Sequence, residues 1–481
     1  MIIKPYSGDP ENLSTIFLVQ KTEDLQDVPI NETEKNFVTE QHAQNEKDTF
    51  LFNRLSHYEI IQLLPEKTDH EGLEHLRKRG ERIKSHLTRN QQDKCLIRDF
   101  TGNSEALSAL AEGMALGAYG FSKHKKPAKN PGKLEEIYID GDTLKVSDIN
   151  QLNNMVKACY LTRDLVNEPS NQMDAVTFAH LIAEAGKEAG IKATILNKEE
   201  IKKHNMTGLL TVNMGSVNEP TFTILEWKPE NAVNDQPVVL VGKGLVYDTG
   251  GINLKPESAL DGMKSDMAGG AAVFGAIYAL AQNKAPIHVV GLIPATDNRP
   301  GGNAMVPGDI IKMGNGKTVE IINTDAEGRL ILADALLYAQ QLKPLLVIDI
   351  ATLTGSATMA IGRFGIIAMH MNAEKHMSHL ETSGNSVYER IARLPFWKEY
   401  DKEIESDVAD IRNLSKNHGA GAITAGKFLS HFINYPWIHL DIATMAYLDS
   451  ADSYRGKGGT GAGVRLLYDF LWNLQHRGNQ S

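Results

Sequence analysis

From Asp174 onward the chain alternates short apolar runs with helical segments, and this alternation constrains the fold more than any other feature of the sequence. Several of the runs are continuously apolar, which is typical of strands that helices cover on both sheet faces. The pattern predicts an α/β domain. The predicted strands are Thr221–Trp227, Val238–Val241, His288–Ile293, Val319–Ile322, Leu346–Ile350 and Ile438–Ile442.

The length of the chain predicts more than one domain, because 481 residues are too many for a single core. Residues 1–150 are polar and charge-rich, and we predict a smaller N-terminal α/β domain there. A linker helix is expected at 151–170 and a larger C-terminal α/β domain at 171–481. Within the first part, the predicted elements are a strand at Ile16–Val19, an exposed basic helix at Leu73–His86 and a helix at Ala106–Tyr119.

Charge and cysteine content favour a cytoplasmic protein. The net charge of −10 disfavours non-specific binding to phosphate backbones or anionic membranes. The two cysteines fit a reducing compartment. No apolar run reaches the ~20 residues that span a bilayer, and Met1–Asp9 lacks the pattern of a secretory signal. We therefore expect neither a membrane nor a nucleic acid as partner.

The octapeptide Asn323–Leu330 combines two acids with an arginine between a β-rich run, Thr318–Ile322, and a helical run, Ile331–Leu342. Open α/β sheets bind ligands at the carboxyl ends of their strands. Asp325 and Glu327 would point to one side if the strand continued through them. Two such carboxylates suit a divalent metal, and an adjacent arginine suits an anion. The alternative is a helix amino-terminus whose acids favour the dipole, and the octapeptide alone leaves both open.

A second group of charged residues lies upstream, where Val238–Gly251 is predicted as a strand running into glycine-flanked turns. If these residues converged with the octapeptide, their carboxylates would repel one another unless divalent cations were bound. A metal can also hold a lysine deprotonated as a nitrogen ligand. Considered one by one, the same residues fit surface ion pairs. The group consists of Lys243, Asp248, Lys255 and Asp266.

Several motifs in order resemble those of the leucyl (cytosol) aminopeptidase family. One is the octapeptide itself, and another is Val241–Gly251, which matches a Gly-Lys-Gly-x-x-x-Asp-[Ser/Thr]-Gly-Gly pattern. The similarity extends from about Ala106 to Leu471 and is weak before that. The remaining motifs are Arg163–Pro169, Asp349–Gly355 and His439–Ala443.

The resemblance implies a two-metal exopeptidase that acts on peptides as a homohexamer of two-domain subunits, the larger domain having a central mixed sheet covered by helices. The metals would be Zn²⁺, Mn²⁺ or both, with Mg²⁺ as the further option. One metal would be held by Lys243, Asp248, Asp266 and Glu327, and the second by Asp248, Asp325 and Glu327. Lys255 and Arg329 match the catalytic pair, with a bicarbonate general base at Arg329. The substrate-binding positions would be Lys255, Met263, Asp266, Asn323, Thr352, Leu353, Gly355 and Ala443.

The segment after Ala443 departs from the family pattern. The family usually has glycine after the position of Ala443, whereas this chain has Thr444, followed by Met445 and Ala446. Together with Met263, this segment matches the pocket for the first side chain of the substrate, so leucine and other apolar residues are the expected preference.

A DNA-binding regulatory protein with secondary peptidase activity is the alternative, because some relatives bind DNA as hexamers. Its support in this chain is the basic segments Arg77–Lys84 and Lys123–Lys133, and the net charge weighs against it. A nucleotide-binding enzyme is a third interpretation, suggested by the glycines of Gly456–Gly461. These glycines follow a loop rather than a strand, so the motif lacks its structural context.

Overall fold

The computed structural model describes residues 1–8, 13–126, 132–417 and 419–477. Its contacts divide the chain into two compact units. Unit 1 comprises Met1–Lys157 and Ser450–Gly456, and unit 2 comprises Ala158–Asp449 and Lys457–Ser481. The division falls inside a helix, Val146–Asn167, and unit 1 includes a short late segment that the predicted boundaries leave out. Among the described residues, no helix combines the length and apolar composition that crossing a bilayer requires.

Unit 1 is built on a six-stranded sheet with the order β1-β6-β5-β2-β4-β3, in which β3 runs antiparallel to β4 and the other neighbouring pairs are parallel. Its strands are β1 (Ile2–Pro5), β2 (Ser14–Val19), β3 (Thr49–Asn53), β4 (Tyr58–Leu63), β5 (Lys94–Asp99) and β6 (Glu136–Asp140). Its helices are α1 (Glu32–Asn45), α2 (His70–Arg89) and α3 (Ser104–Gly117), and α4 (Val146–Asn167) crosses the division. The predicted strand at Ile16–Val19 is the buried centre of this sheet.

Helix α2 corrects one prediction, because it is not simply an exposed basic helix. Its apolar residues Leu76 and Ile83 are buried. Glycines let it cross α3 closely: a Cβ on Gly80 would lie 2.2 Å from the Leu110 carbonyl oxygen. Of the second basic segment, Lys123–Lys133, residues 127–131 lie outside the described part of the chain.

Unit 2 contains a nine-stranded mixed sheet with the order β16-β15-β18-β14-β9-β11-β8-β7, and β10 pairs with β11 beyond the end of β9. Its strands are β7 (Lys192–Leu196), β8 (Thr221–Trp227), β9 (Val238–Gly242), β10 (Gly244–Asp248), β11 (Val289–Asn298), β14 (Leu346–Ala351), β15 (Ile366–Met371), β16 (Ile391–Arg393) and β18 (Trp437–Asp441). A smaller sheet contains β12 (Ile310–Lys312), β13 (Thr318–Glu320) and β17 (Ile411–Arg412). Another contains β19 (Tyr447–Leu448) and β20 (Gly458–Gly459).

Helices accompany this sheet along the chain of unit 2. They are α5 (Ala175–Glu188), α6 (Lys198–Lys203), α7 (Thr207–Asn213), α8 (Glu257–Leu260), α9 (Ala268–Gln282), α10 (Gly328–Ala339), α11 (Gly355–Ile361), α12 (Glu374–Ser386), α13 (Gly421–Ser430) and α14 (Val464–Arg477). Short 3-10 turns are formed in unit 2 by Met263–Ser265, Gln340–Leu342 and Lys398–Ile404, and in unit 1 by Thr22–Asp27 and Ser453–Arg455. The predicted two-domain α/β class with a central mixed sheet is confirmed.

The central strands β9, β11, β14 and β18 run parallel to one another, so their carboxyl ends lie at one edge of the sheet. Strand β11 is long enough to pair twice, first with β9 through Val289–Leu292 and then with β10 through Ala295–Asn298. Lys243 occupies the break between β9 and β10. The predicted glycine-flanked turn after Val241 is therefore a second strand, because β11 offers it a pairing edge.

The octapeptide differs from its prediction in backbone geometry. The preceding strand, β13, ends at Glu320 and belongs to the small sheet with β12 and β17, not to the central sheet. Asp325 lies in a turn, and Glu327 has helical backbone angles of φ −79° and ψ −35° at the start of α10. An extended strand therefore does not align the two acids.

Candidate active site

The first half of the site is a buried ion-pair cluster around Lys243, which is 3% exposed. The Lys243 Nζ lies 2.8 Å from the Asp266 Oδ2 and 3.1 Å from the Glu327 Oε1. Gly328 permits this approach, because a Cβ there would lie 2.6 Å from the Lys243 Cε. The end of β9 and the start of α10 thus meet through these side chains.

Asp266 reaches the cluster because helix α9 packs closely on the sheet. A Cβ on Gly269 would lie 2.1 Å from the Ile350 carbonyl oxygen of β14, so glycine is required there. The residue before the helix, Met267, and Asp266 itself are buried. Asp266 is thereby held at the carboxyl edge of the central strands.

The second half of the site is centred on Lys255. Its Nζ lies 2.8 Å from the Asp248 Oδ2 and 2.5 Å from the Asp325 Oδ1. One carboxylate oxygen each from Asp248, Asp325 and Glu327 lie within 4.8 Å of one another. The two halves therefore share a single carboxylate cluster. Residues that one by one fit separate surface ion pairs instead lie together in one site.

Asparagines that the sequence analysis did not single out hold the acidic loops. The buried Asn298 Nδ2 donates to the Asp248 Oδ1 at 2.9 Å and to the Thr324 carbonyl at 3.0 Å. The Asn253 Oδ1 accepts from the Thr324 N–H at 2.8 Å. Gly250 has φ +85°, and a Cβ there would lie 3.0 Å from the Asp325 Oδ1. These contacts fix the loop after β10 against the octapeptide.

Arg329 lies at the other side of the octapeptide and is 5% exposed. Its Nη1 donates to the Asn413 carbonyl oxygen at 2.7 Å. Within the described residues, no acceptor reaches its buried Nε. Burial lowers the pKa of Arg329 to about 10, so the group stays cationic near neutral pH. A buried cation with an unused donor is suited to bind an anion.

Asn413 is a third asparagine that the sequence motifs do not reveal. It is fully buried, and its Oδ1 accepts from the Ile322 N–H at 2.7 Å. Its Nδ2 donates to the Asn323 carbonyl at 2.7 Å. The Asn323 Oδ1 in turn accepts from the Asp325 N–H at 2.7 Å. Asn413 therefore supports both the octapeptide backbone and Arg329.

The residues after β14 and β18 contact the cluster or its neighbours. The Thr352 hydroxyl donates to the Asp266 Oδ1 at 2.7 Å, and the Thr352 carbonyl accepts from the Lys243 Nζ at 3.1 Å. The amides of Leu353 and Ala443 both donate to the buried Asp441 Oδ1, each at 3.1 Å.

The last two predicted substrate positions lie at element ends. Gly355 begins α11, and beyond its chain neighbours no heavy atom of the described residues lies within 4 Å of the position where its Cβ would be. Met263 begins the 3-10 turn before Asp266, whose N–H donates to the Met263 carbonyl at 3.3 Å.

Titration of the cluster reflects burial and crowded charge. Burial, opposed by Lys243, raises the pKa of Asp266 to about 7. Burial also raises the pKa of Asp325, with Glu327 adding to the effect. Burial by itself would lower the lysine pKa values, but neighbouring carboxylates, chiefly Asp266 for Lys243 and Asp248 for Lys255, raise both above the ordinary value.

The donor set fits divalent cations. Four carboxylates face two ammonium groups, which leaves an excess of two negative charges. The Glu327 Oε2 is buried, and no hydrogen-bond donor in the described chain reaches it. Carboxylate oxygens and an amine that can lose its proton are ligands that such cations accept. All seven predicted metal-binding and catalytic residues lie in or beside this cluster.

Known proteins resemble this chain over most of its length. Residues 160–468 match the model of the cytosol aminopeptidase family, catalytic domain. A "Probable cytosol aminopeptidase" of Chlorobaculum tepidum is 44% identical over 382 residues, covering 76% of this chain and 75% of the relative. A protein of the same name from Geobacter sulfurreducens is 41% identical over 372 residues, covering 76% and 74%.

Solved structures agree on the fold. The structure of "Bottromycin maturation enzyme BotP in complex with Mn" has a TM-score of 0.84 at 28% identity, covering 96% of this chain and 99% of that one. A second structure, "Bottromycin maturation enzyme BotP", has a TM-score of 0.83 at 27% identity, covering 96% and 100%. The family match spans more than half of the chain, and the curated relatives exceed 40% identity. The resemblance of the motifs is thus confirmed, and this chain belongs to the cytosol aminopeptidase family of hydrolases.

Proposed function

We propose that the protein is a two-metal aminopeptidase that releases apolar N-terminal residues, leucine and methionine above all, from peptides. The observation that supports this most is the convergence of Lys243, Asp248, Asp266, Asp325 and Glu327 in one cluster. When bound, two divalent cations would polarise the scissile carbonyl, lower the pKa of the attacking water and accept the free α-amine.

The proposed ligands follow the family pattern and the contacts in the cluster. Lys243, Asp248, Asp266 and Glu327 would hold one ion, and Asp248, Asp325 and Glu327 the other. Asp248 and Glu327 would thus be ligands in both ion sites. One of the two BotP structures is a complex with Mn, which makes Mn²⁺ the first ion to test, beside Zn²⁺ and Mg²⁺.

Lys255 and Arg329 would do the remaining chemistry. Lys255 is partly exposed and would place a positive charge beside the oxyanion of the tetrahedral intermediate. Removing one such donor typically costs ~100-fold in rate. Arg329, whose buried Nε has no acceptor among the described residues, would hold a bicarbonate ion, which would supply a general base.

The first side chain of the substrate would lie against Met263, Ala443 and the residues that follow Ala443. Thr444 stands where the family usually has glycine, and its hydroxyl donates to the Gly365 carbonyl at 2.6 Å. That hydroxyl is therefore already satisfied and adds no unpaired polar group to an apolar wall. Asn323, Thr352, Leu353 and Gly355 would line the rest of the substrate site.

A homohexamer in the cytoplasm is part of the proposal, and it rests on the family resemblance and the relatives' name. The DNA-binding alternative is weaker. In its first basic segment, Arg77 is buried and bonded to Glu112 at 2.6 Å, and the Arg79 Nη2 lies 2.8 Å from the Asp48 Oδ1. A net charge of −10 also opposes a phosphate backbone.

The deciding experiment is hydrolysis of a leucine chromogenic amide by protein that is first chelated and then reloaded with Mn²⁺, Zn²⁺ or Mg²⁺, with and without bicarbonate. We expect no activity after chelation, recovery on reloading, and two ions per subunit by elemental analysis. The N-acetylated amide serves as the matched control. Full activity in the chelated, metal-free protein would contradict the proposal.

A further inference from the structure

Asp441, the last residue of β18, is a fully buried carboxylate outside the proposed metal and catalytic sets. Its Oδ1 accepts the Leu353 and Ala443 amides, each at 3.1 Å. Its Oδ2 accepts the Thr354 hydroxyl at 2.7 Å. One side chain therefore joins the loop after β14 to the loop after its own strand, and both loops carry proposed substrate-binding residues.

The bond to Leu353 has a consequence on the opposite side of the same peptide unit. In a planar trans peptide, the N–H and the preceding C=O point in opposite directions. Because the Leu353 N–H points to Asp441, the Thr352 carbonyl points away from it. That carbonyl accepts from the Lys243 Nζ at 3.1 Å. The Thr352 hydroxyl, on the same residue, donates to the Asp266 Oδ1.

The bond to Thr354 extends this support into the next helix. The Thr354 Oγ1 accepts the Ala357 N–H at 3.1 Å and caps α11. The hydroxyl thus donates in one direction and accepts in the other. Asp441 thereby fixes the loop between β14 and α11 at two adjacent residues.

We propose that Asp441 is a positioning residue of the active site. It orients the Thr352–Leu353 peptide so that the Thr352 carbonyl accepts the hydrogen bond from the Lys243 Nζ. It also holds the loop that contains Ala443. The inference rests on the proposed function. It assigns Asp441 no contact with substrate and no proton transfer. Its action on metal binding runs through Thr352 to Lys243 and Asp266.

The test uses full-length protein carrying Asp441→Ala, Asp441→Asn or, as a control, Asp334→Ala. Asp334 is another buried aspartate, and its Oδ2 accepts a backbone amide, the Leu209 N–H at 2.8 Å. Each variant is assayed for thermal unfolding, for the Mn²⁺ concentration that half-reactivates chelated protein, and for kcat and KM on the leucine amide.

We expect Asp441→Ala to raise the Mn²⁺ concentration needed for half-reactivation, and to lower kcat/KM, by about 10- to 100-fold. This is the usual effect of losing a residue that orients a metal ligand. Asp441→Asn keeps an Oδ1 acceptor for both amides, and its Nδ2 can donate to the Thr354 hydroxyl. For Asp441→Asn, the half-reactivating Mn²⁺ concentration and kcat/KM should both lie about tenfold closer to the wild-type values. Asp334→Ala should lower the unfolding temperature without changing Mn²⁺ reactivation.

If Asp441→Ala fails to fold, Thr354→Val and Thr354→Ser decide the matter, because valine lacks the hydroxyl and serine restores it. A Thr354→Val loss of Mn²⁺ affinity that Thr354→Ser rescues supports the inference. It is overturned if Asp441→Ala resembles Asp334→Ala, if Asp441→Asn is as impaired as a folded Asp441→Ala, or if Thr354→Val binds Mn²⁺ normally. An active Glu327→Ala variant would instead remove the proposed function itself.

Discussion

Lys243 and Glu327 form a buried pair in which the Nζ and Oε1 are 3.1 Å apart, while the Glu327 Oε2 has no donor among the described residues. A buried carboxylate oxygen without a partner is costly. Here the cost falls on a residue of a cluster in which four carboxylates, Glu327 included, face two ammonium groups. This combination explains why Glu327 is central to the proposed metal site and why its removal is the most direct test of that site.

Glu327→Ala is expected to abolish hydrolysis, because it removes a proposed bridging ligand and leaves the remaining acids without the ion that offsets their repulsion. Elemental analysis should show at least one metal site emptied. Glu219→Ala, at an exposed glutamate, is the matched control and should keep both ions and normal activity. Near-normal turnover of the Glu327→Ala protein with two bound ions would rule out the bridging role.

Substitution of the two lysines should separate metal binding from transition-state stabilisation. Lys255→Ala should retain both metals and lower kcat by ~100-fold, because it removes a charge beside the oxyanion rather than a ligand. Lys243→Ala should weaken metal binding, because Lys243 lies between Asp266 and Glu327. Metal titrations of the two chelated variants check this division, and equal loss of metal from both would contradict it.

The free energy of unfolding should depend on pH through the titration of Asp334 in helix α10. Burial raises the pKa of Asp334 to about 8. Between the ordinary carboxyl pKa, about 4, and 8, the folded state keeps a proton that the unfolded state has released. The free energy of unfolding should therefore fall as the pH rises through this window.

Asp334→Asn removes that titration while its Oδ1 can still accept the Leu209 N–H. In chelator, the unfolding temperature of the variant should fall less between pH 5 and pH 8 than that of wild type. Because every other group titrates in both proteins, the difference isolates Asp334. Identical pH profiles would show that burial does not keep Asp334 protonated.

How far the sequence predicts this molecule depends on the distance over which each interaction acts. Strand Thr221–Trp227 is found at its predicted bounds, because apolar runs are local signals. The second strand, Gly244–Asp248, is a turn in the sequence-based prediction, because its partner Ala295–Asn298 lies about fifty residues later. Gly242 and Gly244 suggest a turn by themselves, and only pairing with β11 makes Gly244–Asp248 a strand.

The site divides in the same way. The acids and lysines of the cluster are recognisable by their charge and their motifs, but the strand geometry expected for Asp325 and Glu327 is wrong. Asn298 and Asn413 belong to none of the recognised motifs, because they act through bonds to groups of distant segments, which leave no characteristic spacing. Asp441 lies within the motif His439–Ala443, but its bonds to Leu353 and Thr354 do not follow from that motif.

Substrate preference is the finest prediction. The enzyme should cleave substrates with a free amino-terminus and reject N-acetylated ones, because acetylation removes the lone pair with which the α-amine would bind a metal and adds bulk in the site. A panel of aminoacyl amides with acetylated controls measures this directly. Efficient hydrolysis of the acetylated compounds would overturn the amine-to-metal contact.

Among free substrates, leucine and methionine should be favoured over aspartate and glutamate. Met263 and the segment from Ala443 to Ala446 supply mainly apolar groups, and the Thr444 hydroxyl is already bonded to the Gly365 carbonyl. An unpaired carboxylate against this wall would cost several kcal/mol. Discrimination among apolar residues should be shallow, since one methylene is worth about 1–3 kcal/mol in such a pocket. Thr444→Gly restores the usual family residue and is expected to shift these ratios while leaving metal content unchanged. If acidic residues were cleaved best by wild type, the pocket assignment would be wrong, and the metal chemistry would be untouched by that result.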